Sequence, residues 1–71
     1  MEFSENLKIL RKENKIGQNK LATELSVSTK TISHWETGYT EPSISQLIAL
    51  ANYFNITLDE LILGKWKISL I

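Results

Sequence analysis

Residues 18–36 read QNKLATELSVSTKTISHWE. Gln18, Ala22, Val27, Ile32 and Trp35 fall at the spacing that two short helices need when they cross at a tight turn. The second helix leaves Ser28, Thr29, Lys30, Ser33 and His34 outside. Ala22 is small where the helices approach each other, since a larger side chain would push them apart. Val27, Ile32 and Trp35 fill the space beneath. Trp35 has two readings, a ring that stacks on a base or a ring in the core. Its step of three from Ile32 sets it on the inward stripe, so the core is expected.

Upstream, Phe3, Leu7 and Leu10 recur at steps of four and three, which predicts a helix from Phe3 to Lys15 with Lys8, Arg11, Lys12 and Lys15 largely outside. Glu5 near its start and Lys12 and Lys15 near its end suit the helix dipole. Gly17 breaks the pattern. A second helix follows from Gln18 to Leu25, with Leu21, Ala22 and Leu25 inward. The third is capped by the Ser28 hydroxyl and runs to Glu36 or Thr37, where Gly38 stops it.

Tyr39 to Pro42 form a loop, because Pro42 disfavours a helical Glu41 before it. Ser43 and Gln46 have capping-box spacing ahead of Ile44, Leu47, Ile48, Leu50, Ala51 and Phe54. Those apolar residues surround much of the fourth helix, which is expected to be the central, most buried one. Thr57 and Glu60 repeat the box before Leu58, Leu61 and Ile62, the apolar side of a fifth helix ending near Gly64. The expected fold is all-α, a compact five-helix domain over residues 1–64 without repeats. Beyond it, KWKISLI (65–71) alternates with Trp66, Ile68 and Leu70 on one side, the period of a strand, so a short extended C-terminal tail is expected.

With 71 residues, 42% of them hydrophobic, the chain lies near the lower size for one core without a staple, so one domain is the limit. It has no cysteine, which excludes disulfides and thiolate metal sites and makes the cytoplasm the default compartment. MEFSENLKIL lacks the charged-then-apolar order of a secretory signal, and no apolar run approaches the ~20 residues of a membrane span. No enzyme is expected. One histidine, no cysteine and no glycine-rich phosphate loop leave no catalytic set, no metal site and no cofactor, and Ser33 and His34 diverge on a helix.

In this order the residues resemble the helix-turn-helix family of phage Cro and lambda-type repressors, also called the Xre family, over about Phe3 to Leu63. The resemblance rests on Gln18, Ala22, Val27, Ile32, Trp35-Glu36, Gly38, Pro42-Ser43 and Leu58-Asp59-Glu60-Leu61 together. It implies a lambda-repressor-like domain that binds double-stranded DNA and regulates transcription, most simply as a repressor. The third helix then enters the major groove by its N-terminal end. Thr29, Lys30, Ser33 and His34 form the candidate base-reading set: Lys30 donates to guanine, Thr29 bonds a base edge or packs its methyl on thymine, and His34 donates to guanine or phosphate. Taken alone, His34 reads as a surface histidine; the motif raises it to a DNA contact.

Candidate phosphate contacts are Arg11, Gln18, Asn19, Ser28, Tyr39 and Thr40. Free amides at the start of the second helix suit an anion, and Gln18 can also brace the recognition helix. Arg11 and Glu36 match a pair that bridges the first and third helices, read as an exposed bridge contributing ~0–1 kcal/mol and serving orientation. Three features depart from the family. Ser26 stands where glycine is preferred, at a turn position that favours positive φ, so the serine costs about 1 kcal/mol or the turn adjusts. Glu41 replaces a basic residue, leaving Tyr39 and Thr40 to reach phosphate by hydroxyl or amide. Eight Lys and Arg balance eight Asp and Glu, so nothing global draws the chain to DNA.

A weak single copy implies a homodimer, and an unpaired apolar strand needs a partner, which makes Trp66, Ile68 and Leu70 the candidate dimerisation strand. The alternatives for this tail are folding back on its own core or continuing into a longer chain. A dimer sets its recognition helices about one DNA turn apart, ~34 Å, on a near-palindromic operator. No membrane or small-molecule partner is indicated. The competing function is an antitoxin-like or adaptor module that uses the same fold and binds another protein through the tail. Neutral charge favours that module, whereas the polar face of the third helix, poor in apolar anchors, favours DNA.

Overall fold

Backbone groups at helix ends must find partners, and the way this chain supplies them sets its five elements. The computed structural model describes residues 2–65, and the helices are α1 (Glu2–Glu13), α2 (Gln18–Leu25), α3 (Thr29–Thr37), α4 (Ile44–Phe54) and α5 (Leu58–Leu63). The expected all-α five-helix order holds. Ser28 caps α3 by accepting from the Thr31 amide, and both expected capping boxes form, Ser43 with Gln46 and Thr57 with Glu60. The strand expected from Trp66 onward lies outside the described residues.

The C-termini of α1 to α4 follow one scheme. Lys15, Ser26, Gly38 and Asn55 each take the left-handed conformation after a helix. In each case the next amide reaches back to the helix: Ile16 to the Arg11 carbonyl, Val27 to Ala22, Tyr39 to His34 and Ile56 to Ala51. This is the Schellman closure, in which the residue after the left-handed one is often apolar. Ile16, Val27 and Ile56 accordingly pack against the core. Two details differ from expectation. α1 ends at Glu13 rather than Lys15, and Lys15 at φ 58° makes the turn. Gly17, read as the break, is the extended N-cap of α2 at φ −84°.

The core joins Phe3, Leu7 and Leu10 of α1, Leu21 and Ala22 of α2, Ile32 and Trp35 of α3, Leu50 and Ala51 of α4, and Leu61 of α5. Trp35, 2% exposed, is a core ring as expected. The most buried helix is α1, not α4. Only Leu50 and Ala51 of α4 are buried, and Ile44 is 70% exposed. The physical reason is size: apolar residues spread around much of α4 exceed the surface that so few neighbours can cover. α1 also buries polar residues. Asn6 donates its amide to the Leu61 and Ile62 carbonyls, at 3.2 and 3.1 Å, which ties α1 to the last turn of α5.

Candidate nucleic-acid interface

The candidate interface lies where α2 and α3 cross. Val27 donates to the Ala22 carbonyl at 3.0 Å and Ser26 sits at φ 58°, ψ 40°, so the turn keeps the left-handed geometry usually given to glycine. Ala22 is 3% exposed and Leu21 and Ile32 are fully buried, so small and branched side chains close the crossing. This fixes one face of α3 inward. On the other face Thr29 and Lys30 are exposed, while Ser33 and His34 are half-buried.

The far end of α3 is held by a buried polar cluster. Arg11 Nε donates to Glu36 Oε2 at 2.6 Å and Nη2 to Oε1 at 3.1 Å, and Nη1 reaches the Ile16 carbonyl at 2.9 Å. Gln18 Nε2 donates to the same Oε1 at 3.1 Å. One carboxylate therefore fastens α3 to α1 and to the first residue of α2. The expected pair forms, but it is not the exposed bridge read from sequence: Arg11 is 9% and Glu36 8% exposed. Arg11 lies on the inward stripe with Ser4 and Leu7, at steps of three and four, and Glu36 adjoins buried Trp35. A paired and hydrogen-bonded charge is the form in which burial is tolerated.

The other candidates divide by what already occupies them. Ser28 Oγ accepts from the Thr31 amide at 3.1 Å and lies 2.9 Å from Thr31 Oγ1. The amides of Tyr39 and Thr40 both point to the His34 carbonyl, at 2.9 and 3.4 Å, which leaves their hydroxyls for an outside acceptor. Tyr39 is 76% exposed, with its ring 4.7 Å from that of His34. Asn19 and Thr29 meet, Thr29 Oγ1 donating to Asn19 Oδ1 at 2.7 Å. This contact has no local sequence signal, because it joins the starts of two helices. α2 opens on Gly17 without a side-chain cap, so its first amides face outward unsatisfied by side chains.

The charge around this face is mixed. Lys20 pairs with Glu24 at 3.3 Å, and Glu41 is exposed in the loop after α3. Lys30 is exposed on the outward face of α3. Trp66, Ile68 and Leu70 lie outside the described residues. Among the described residues no helix is long and apolar enough to cross a membrane.

A helix-turn-helix family model matches residues 7–61. The chain is 40% identical over 70 residues to the HTH-type transcriptional activator BcrR of Enterococcus faecalis, covering 99% of this chain and 34% of that protein. It is 36% identical over 63 residues to the HTH-type transcriptional regulator YqaE of Bacillus subtilis, covering 89% and 54%. The chain thus spans about a third to a half of the length of these curated relatives. Its fold matches the crystal structure of the P22 c2 repressor in complex with a synthetic operator, with a TM-score of 0.82 at 34% identity, covering 90% of this chain and 97% of that one.

Proposed function

Because this chain belongs to the helix-turn-helix family of the Cro and lambda-repressor type, we propose that it binds a specific DNA sequence and regulates transcription there. In this reading α3 enters the major groove and the start of α2 lies on the phosphate backbone. The observation that carries it is the mounting of α3. Ile32 and Trp35 are buried, Glu36 is fastened to Arg11 and Gln18, and Thr29 and Lys30 stay exposed. A polar face held rigidly from behind suits base reading.

Lys30 donates to guanine O6 or N7, with Ser33 and His34 flanking it further along the groove. The hydroxyls of Tyr39 and Thr40 and the amides opening α2 touch the backbone. Arg11 supports the site from within. Two copies, joined through Trp66, Ile68 and Leu70, set two such faces on a near-palindromic operator and add two weak halves. Covering a promoter in this way represses it. The chain works in the cytoplasm by binding, without catalysis or cofactor.

Selection of bound sites from random duplexes at stated salt tests this. The expected outcome is an enriched sequence with two related half-sites. Lys30→Ala should then lower discrimination at particular base pairs by about 1–3 kcal/mol, while Gln18→Ala weakens binding to every sequence alike. No enrichment would favour the other reading, an adaptor that binds protein. The exposed isoleucines Ile44 and Ile48 of α4 are its main support.

A further inference from the structure

The bond between Thr29 and Asn19 decides how the first residue of α3 meets a base. From it we infer that Thr29 reads thymine through its methyl group, and that Asn19 makes it do so. This rests on the DNA-binding reading above. Thr29 is exposed at the first position of α3, and Oγ1 donates to Asn19 Oδ1 at 2.7 Å. A hydroxyl has one proton. With that proton directed at α2, Thr29 has none for guanine O6 or N7 or for thymine O4.

The same bond fixes χ1. With Oγ1 held to Asn19 of α2, the γ-methyl must take a different staggered position from the one that faces Asn19. Oγ1 keeps lone pairs that can meet only an adenine or cytosine amino group and is drawn toward α2, so the group offered to the groove is the methyl, whose complement on a base edge is the thymine C5-methyl. Asn19 is committed through its oxygen and keeps two amide protons, which suit a phosphate. A single clasp thus joins a backbone contact to a base preference. Asn19 is a positioning residue for Thr29.

The test uses the 71-residue chain and a duplex selected from random sequences, with each thymidine in turn replaced by deoxyuridine, which lacks only the methyl. One replacement should weaken binding by about fourfold, the effect of losing one buried methyl. Thr29→Ser should abolish that sensitivity. Thr29→Val, which keeps a methyl, should retain it, and Asn19→Ala should reduce it. Circular dichroism and unfolding of each variant check that the fold is unchanged. A selected duplex that binds equally well with deoxyuridine at every position overturns the inference and leaves the DNA-binding reading standing. So does sensitivity that survives Thr29→Ser, or a preference for adenine or cytosine lost in Thr29→Val and kept in Thr29→Ser. Failure to select any duplex overturns both.

Discussion

Ser26 and Gly38 hold the same left-handed backbone with different side chains, and the difference is measurable. At φ 58° the Cβ of Ser26 meets a steric penalty that glycine avoids. Ser26→Gly should therefore raise stability by about 1 kcal/mol in urea unfolding, less whatever glycine adds to the entropy of the unfolded chain. The reverse holds at Gly38. An added Cβ there has φ +79° against it and would lie 3.2 Å from Ser4 Oγ, itself a buried hydroxyl without a hydrogen-bond partner. Gly38→Ala should cost about 1 kcal/mol or more. Ser4→Ala should be neutral or stabilising, because it removes an unsatisfied group. Adding Ser4→Ala should shrink the cost of Gly38→Ala, and a double-mutant cycle by chemical denaturation measures that coupling. Strict additivity would show that backbone conformation, not the hydroxyl, sets the cost.

At the scale of elements, α3 depends on one carboxylate. Glu36 receives Arg11 and Gln18 while 8% exposed, and losing one partner of a buried pair strands the other charge. Glu36→Ala should thus cost about 3 kcal/mol or more in unfolding free energy, against less than about 1 kcal/mol for an exposed bridge. The pair itself was legible in sequence through the family motif. Its burial was legible too, had the stripe through Phe3, Leu7 and Leu10 been extended to Ser4, Asn6 and Arg11 on the same face. Polar identity hid that periodicity. All five helices were legible because caps and apolar steps agree. The end of α1 was not, because a left-handed lysine carries no signal comparable to glycine. The overestimate of α4 has a different cause: apolar content reports what a helix can bury, while burial depends on neighbours that only the assembled fold supplies. The Asn19–Thr29 contact likewise arises only once α2 and α3 are crossed.

For the molecule as a whole, charge limits what one copy can do. Eight basic and eight acidic side chains cancel, Lys20 is paired with Glu24, and Arg11 is turned inward to Glu36. With no net positive charge and the one arginine turned inward, little net attraction to phosphate remains, so a single copy should bind weakly and with a shallow salt dependence. In the proposed dimer, affinity comes from joining two copies of the α3 face, because a second contact made within one complex multiplies the first without any new charge. The segment proposed to join them is 65–71, in whose sequence the apolar Trp66, Ile68 and Leu70 alternate with Lys65, Lys67 and Ser69. Removing it separates two properties that charge and fold alone would leave coupled. The truncated chain should keep its binding to a single half-site, since α2, α3 and the Glu36 cluster are untouched. It should lose at least tenfold in affinity for a duplex with two half-sites, and sedimentation should change from dimer to monomer. If both chains sediment as monomers and bind the two-site duplex equally, the tail is not the joint, and the exposed Ile44 and Ile48 of α4 become the next surface to mutate.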